Sequence, residues 1–270
     1  MTEDAIARVA RGSTLLLLGQ LISNLIAIGA FMFIARGISR AEMGIATITN
    51  LLMTLGVLLS GAGVPISSIR FISEYIGAGS DYRPLITASV LTRAVLAALY
   101  SAILVAFADQ IALLLLGSTS NVGLLYLAAI GVVATGFANT FYNALIGLNR
   151  MLAVCLSYVF SALVGWSVGV LLVIEGWGAT GYVLCWVASG LAGSLVSGIS
   201  LAKATSLSLN NGKETAKAMR TLIAFSIPVL ITNLAAYAFN CFDMFVLVGL
   251  ASQEEGEGQA PHERHAGEGP

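Results

Sequence analysis

The chain has 270 residues, 57% of them hydrophobic and only 10% charged, with a mean hydropathy of +0.90. A soluble domain carries about 25% charged residues to cover its surface, so the composition excludes an ordinary soluble enzyme and points to lipid as the solvent. The formal net charge of −1 is uneven: the last 17 residues, from Glu254, hold five acids and one arginine, leaving +3 for the rest. No basic patch is dense enough for nucleic acid. Cys155, Cys185 and Cys241 lie in apolar stretches without paired spacing, which indicates neither a disulfide framework nor a zinc site. No metal and no cofactor are expected.

A bilayer core of about 30 Å is crossed by about 20 helical residues, and the chain divides into runs of that length. The first 12 residues open with acids and lack the basic start of a signal peptide, so the run after them reads as a retained span. No charge falls between Arg11 and Arg36, which gives a span over 13–35. The second covers 43–69, and the third covers 84–108 with Arg93 inside it. Gly117, Ser118, Ser120 and Asn121 mark a turn, followed by spans over 122–148, 151–174 and 177–202. A polar loop over 203–221 carries Lys203, Lys213, Glu214, Lys217 and Arg220; a seventh span covers 222–250, and a hydrophilic, disordered tail covers 251–270. These runs are continuous and twice as long as the alternating strands of a membrane barrel, and lipid demands that backbone polar groups be satisfied within the segment. The predicted fold is therefore all-α: a six-helix lobe over 13–202 followed by a seventh helix.

The positive-inside rule orients the bundle. With the N-terminus cytoplasmic, inside segments hold ten of the 13 basic residues, and Arg36, Arg40 and Arg264 fall outside. The reading is a multi-pass protein of the cytoplasmic membrane with an extracytoplasmic C-terminal tail.

An internal echo joins the first and seventh spans. Leu21-Ile22-Ser23-Asn24-Leu25 matches Leu230-Ile231-Thr232-Asn233-Leu234 at four of five positions. Transporters are commonly built from internal repeats, so the seventh span reads as the first helix of a second copy. On that reading the abrupt Gly-, Glu- and Pro-rich tail is expected to mark a truncation, with a genuine disordered tail as the alternative.

The loops carry a family pattern. Ala35-Arg36-Gly37-Ile38-Ser39-Arg40-Ala41-Glu42-Met43-Gly44 resembles the first outer loop of polysaccharide flippases. Gly63-Val64-Pro65 followed by Arg70-Phe71-Ile72-Ser73-Glu74-Tyr75 is similar to the end of their second helix. Gly147-Leu148-Asn149-Arg150-Met151 resembles their fourth-to-fifth connection, and Ser226-Ile227-Pro228-Val229-Leu230 with Asp243 their seventh helix. The resemblance is to the oligosaccharide and polysaccharide (O-antigen type) flippase branch of the superfamily that also holds multidrug extruders. It implies alternating-access movement of a lipid-linked sugar by two helical lobes around a central cavity. This chain supplies the first lobe, so a second transmembrane half or a homodimer partner is expected.

Such a substrate presents a phosphate or pyrophosphate, a polar glycan and an apolar tail. Charges within a membrane are costly and mark function by default. Arg70 and Glu74, at i,i+4 on one helix face, are either a cavity-facing cation held by a carboxylate or an interfacial ion pair. Arg93 either faces a cavity or snorkels to the headgroups. Arg36 marks the outer interface or serves the cavity. Asp243, with Glu74, is a candidate for binding a coupling proton or sodium ion; the membrane potential is the other source of drive. Polar stripes run through Gln20 and Asn24, through Thr135, Asn139, Asn143 and Arg150, and through Asn233, Tyr237 and Asn240. They line a wet cavity or make interhelical hydrogen bonds. Gly61, Gly63 and Pro65 weaken the second span and Pro228 the seventh, which makes Pro65 and Pro228 hinge candidates or static kinks. Gly165 and Gly169 have the spacing of close helix packing.

Gly176-Trp177-Gly178-Ala179-Thr180-Gly181 matches a dinucleotide fingerprint but lacks the preceding strand and the following acid, and so reads as a tight interhelical loop. His262 and His265 are too few to hold a metal. A multidrug-type exporter of the same fold, a membrane glycosyltransferase and a non-transporting scaffold fragment are the competing readings. The short outer loops argue against the enzyme.

Overall fold

The structure is a computed structural model that describes residues 3–205 and 212–257, with side chains described over 11–205 and, apart from 213, over 212–239. The chain divides into one compact unit ending at Leu230 and a second that starts at Ile231. Nine α-helices and one 3-10 turn make up the described residues: α1 Glu3–Gly37, α2 Arg40–Gly61, α3 Val64–Gly77, α4 Arg83–Ala106, α5 Ala108–Leu115, α6 Val122–Gly147, α7 Met151–Ile174, α8 Gly178–Ala204 and α9 Gly212–Glu257. Among the described residues, seven helices are long and apolar enough to cross a membrane. The chain is an all-α polytopic bundle.

Local chemistry explains the helix ends. Ser39 caps α2 with a reciprocal pair: Glu42 N donates to Ser39 Oγ at 3.3 Å, and Ser39 N donates to a Glu42 carboxylate oxygen at 3.0 Å. This capping box is what Ser39-Arg40-Ala41-Glu42 encodes. The span expected as one helix over 43–69 is two. Ala62 (φ 46°) and Gly63 (φ 75°) are consecutive left-handed residues that end α2 and open α3. Pro65 therefore lies in the first turn of α3, where its missing N–H breaks no helical bond. Asn149 (φ 57°) turns the chain between α6 and α7. Gly176 (φ 88°) and Gly178 (φ 50°) form the tight loop between α7 and α8 expected for the false fingerprint.

Two further boundaries differ from the sequence expectation. The short helix α5 follows α4 after a single residue; its eight residues are too few to register as a span. Helix α9 starts at Gly212 and runs to Glu257, so it takes in part of the expected polar loop and of the expected tail. Alternating Lys, Glu, Ala and Arg over 213–220 are good helix formers, which accounts for the early start. Residues 258–270, with His262, Arg264 and His265, lie outside the described residues.

Lipid tails are as apolar as leucine, so helices in a membrane associate through close packing. Glycines make that packing. A Cβ on Gly165 would lie 2.5 Å from Ser189 Cβ, and one on Gly169 would lie 2.6 Å from Cys185 Cβ, so both glycines of the Gly165/Gly169 pair seat α7 on α8. A Cβ on Gly19 would lie 2.9 Å from Cys155 Cα, which brings α1 onto α7. Gly190 and Gly193 bring α8 against Thr135 and Tyr142 of α6. Exposed Leu25, Leu99, Leu171 and Leu195 cover outward faces with apolar surface.

Within the first unit, α9 crosses the start of α3. Ser67 Oγ and Ser226 Oγ are 3.0 Å apart, and Ser226 Oγ donates to Leu222 O at 2.6 Å. Phe71 and Phe225 meet edge to face at 5.6 Å. Gly63 is required here: a Cβ on it would lie 2.5 Å from the Ser226 carbonyl oxygen.

Candidate functional site

A crevice of about 270 Å³ opens between α2, α6, α7 and α8. Its walls are Met53, Thr135, Ala138, Asn139, Tyr142, Tyr158, Ser161, Trp186, Ser189 and Gly190. Each lies well inside its helix, so the crevice sits near half-depth of the bundle. No charged side chain lines it. Its polar groups are hydroxyls and one amide, set among aromatic rings. Tyr142 and Tyr158 pack edge to face at 4.7 Å, and Trp186 packs at a tilt against Tyr182 at 4.3 Å. Asn143 Nδ2 donates to Asn139 Oδ1 at 2.8 Å and to Asn139 O at 2.7 Å. This pairing holds the Asn139 amide in a fixed orientation and leaves its own Nδ2–H donors out of the Asn143 pair.

Arg93 of α4 lies close by and is 3% exposed. It does not snorkel to the surface, and among the described residues it meets no carboxylate. Its Nε donates to Thr140 Oγ1 at 3.0 Å, and its Nη1 donates to Val57 O at 2.7 Å and to Ser60 Oγ at 2.8 Å. Thr140 Oγ1 in turn donates to Gly136 O at 3.1 Å. Gly61 and Gly136 make room: a Cβ on Gly61 would lie 2.8 Å from Arg93 Nη2, and one on Gly136 would lie 3.1 Å from Arg93 Cδ. One side chain thereby joins α4, the last turn of α2 and α6. Thr140 follows Asn139 directly, so the same segment of α6 serves both the buried tether and the crevice.

A half-depth site of neutral polar and aromatic groups in a glycine-packed helical lobe is the arrangement on which family relationships bear. The model of the family described as "Polysaccharide biosynthesis protein" matches residues 9–258. The chain belongs to that family. The solved structure of a MOP superfamily transporter from Pyrococcus furiosus has the same fold, with a TM-score of 0.67 at 17% sequence identity. The match covers 86% of this chain and 54% of that one, so this chain spans about half the length of that transporter. No curated protein matches it.

In this member of the polysaccharide biosynthesis family, the loop patterns that carry the resemblance have definite places. Glu42, besides capping α2, packs against Gly178 at the start of α8 and so joins two helix starts at one end of the bundle. Arg70 and Glu74 are both exposed on α3 and form no ion pair. Arg70 instead lies over the Phe225 ring at 4.8 Å, a cation–π contact that ties α3 to α9. Arg36 is exposed in the last turn of α1. Asn24 is exposed and accepts from Gln20 Nε2 at 3.4 Å. Pro228 lies inside α9.

Of the residues picked from sequence, the structure brings Asn139, Asn143, Thr135 and Arg93 into one neighbourhood. Arg70, Arg36 and Asn24 stand apart from it. Asn233 is half-buried in the second unit. The side chains of Asn240 and Asp243 lie outside the described residues. Sequence reasoning missed Tyr142, Tyr158, Ser161, Trp186 and Ser189. A signal existed: Tyr and Trp usually sit at membrane interfaces, whereas Tyr158 and Trp186 fall deep within apolar spans.

Proposed function

We propose that the chain forms one lobe of a flippase that moves a lipid-linked oligosaccharide or polysaccharide precursor across the cytoplasmic membrane by alternating access. The half-depth crevice supports this reading most directly. Sugar rings present hydroxyl edges and C–H faces; an amide and several hydroxyls meet the edges, and aromatic rings meet the faces. A lining without charge suits a neutral glycan better than a cationic drug, and the family relationship points the same way. The chemistry required is recognition and passage, with no bond made or broken in the glycan.

The lobe works with a second one, supplied by a further transmembrane half or by another copy of this chain. Arg70, exposed over Phe225 at one end of the bundle, is the cation we assign to the phosphate or pyrophosphate. Arg93 we assign a positioning role: it fixes the end of α2 while the Ala62–Gly63 break lets α3 swing. The N-terminal end lies in the cytoplasm, and Asp243 remains our choice for a coupling ion.

The test is a flipping assay in proteoliposomes holding the protein, with a fluorescent pyrophosphate-linked oligosaccharide and a dithionite quench. Protein-dependent loss of protected fluorescence that N139A slows is the expected result. A probe that never crosses, or one that crosses equally well without its sugar, would refute the assignment.

A further inference from the structure

A second crevice, of about 560 Å³, lies where the described start of α1, the turn before α7, the first turns of α7 and the later turns of α8 converge. Two cations line it, Arg11 from α1 and Arg150 from the turn, with Ser200 of α8 and no carboxylate. Among the described residues, neither arginine has an acidic partner. Its remaining wall is mainly apolar, including Leu15, Leu152 and Leu156.

Leu152 and Leu156 are each 57% exposed, and Phe160 and Leu163 continue the same exposed face along α7 toward the bilayer centre. The crevice thus has a cationic head at the membrane surface and an apolar groove leading inward from it. α1 is held close here, since a Cβ on Gly12 would lie 3.0 Å from Met151 Cγ. Two arginines lining one crevice repel each other, and an anion between them turns that repulsion into a bridge. Arg150 gives the first turn of α7 no side-chain cap, so an anion there also meets the positive end of a 24-residue helix.

We propose that this crevice binds an anionic glycerophospholipid of the bilayer, with its phosphate between Arg11 and Arg150 and an acyl chain along Leu152 and Leu156. Basic pockets between transmembrane helices are built for such headgroups. The apolar groove continuous with the two cations accommodates an acyl chain, which a free phosphate ion lacks. The bound lipid ties α1 to α7 and α8. The site is separate from the half-depth crevice, and the proposal holds whether or not the chain flips a saccharide.

The test is native mass spectrometry of the purified protein, released from micelles containing phosphatidylglycerol, phosphatidylcholine or inorganic phosphate alone. One phosphatidylglycerol is expected to be retained, with phosphatidylcholine and phosphate not held. R11Q/R150Q should weaken retention by about fivefold per arginine, whereas R36Q/R40Q, with the same charge loss at the opposite end, should retain the lipid. If R11Q/R150Q does not fold by circular dichroism, S200F, which fills the crevice without altering charge, must lose the lipid. Equal retention of the two lipids, equal binding of phosphate alone, or retention in whichever of these crevice variants folds would overturn the proposal.

Discussion

The guanidinium of Arg93 donates from Nη1 to the carbonyl oxygen of Val57 at 2.7 Å, one turn before α2 breaks at Ala62 and Gly63. A helix C-terminus carries partial negative charge on its last carbonyls, and here that charge takes the place of a carboxylate. This is the physical reason a buried arginine persists in an apolar lobe without an acidic partner among the described residues. The break in α2 and the tether that holds its end are therefore one device.

Replacing Arg93 separates the contributions of charge and geometry. R93A removes one donor from each of Val57 O, Ser60 Oγ and Thr140 Oγ1 and opens a void beside Gly61 and Gly136, and is expected to cost about 3 kcal/mol. A lysine carries one compact ammonium and cannot reach both Thr140 and the end of α2 with a planar fork, so R93K is expected to recover about half of that. Thermal unfolding in micelles, read by circular dichroism, measures both. Wild-type stability in R93A would show that the tether contributes nothing.

Gly63 and Gly79 share a left-handed backbone, at φ 75° and 65°, but differ in surroundings. A Cβ on Gly79 meets nothing within 4 Å, whereas on Gly63 it would lie 2.5 Å from Ser226 O. G79A should cost about 1 kcal/mol, for the backbone alone. G63A should cost about 2 kcal/mol more, for the clash with α9. Equal losses for the two in the same unfolding measurement would mean that α9 does not cross α3 so closely.

Gly165 and Gly29 make a similar pair inside helices. Gly29 has open space around it, so G29A should stabilise by about 0.5 kcal/mol through helix propensity. G165A drives a methyl into Ser189 and the Cys185 carbonyl and should destabilise by about 2 kcal/mol. Opposite signs in thermal shift are the expected result.

Helix α7 is legible to the residue: the uncharged run 151–174 of the sequence is the helix Met151–Ile174. Gly61, Gly63 and Pro65 signalled the weak point of the second span, but not that two left-handed residues would divide it into α2 and α3. Pro65, a candidate for a hinge or a static kink, sits in the first turn of the second piece. Arg93 was conspicuous as a charge in an apolar run. Its partners were not, since they lie 33 to 47 residues away and bond through a carbonyl and hydroxyls that any span contains. The crevice was half legible. Asn139 and Asn143 stand out in an apolar helix, whereas Tyr158, Ser161, Trp186 and Ser189 blend into runs whose composition does not tell an inward face from a lipid-facing one. Glycine contacts such as Gly190 against Thr135 decide that, and they are set by pairing of helices far apart in sequence.

The crevice itself is tested by changes that remove a polar group and little else. Y158F deletes one hydroxyl and keeps the ring packed on Tyr142. N139A deletes the amide that Asn143 orients, on an exposed side chain whose loss disturbs no core contact. A neutral hydrogen bond to a sugar is worth about 1 kcal/mol, so each change should slow flipping of the saccharide probe about fivefold, and the pair should slow it more. Thermal stability should stay within about 0.5 kcal/mol for N139A, as for ordinary surface substitutions. The informative comparison is with G165A, which should lower stability and flipping together. If N139A and Y158F flip the probe at the wild-type rate while remaining folded, the glycan does not pass along this face of α6 and α7. The polar groups there would then serve helix packing alone.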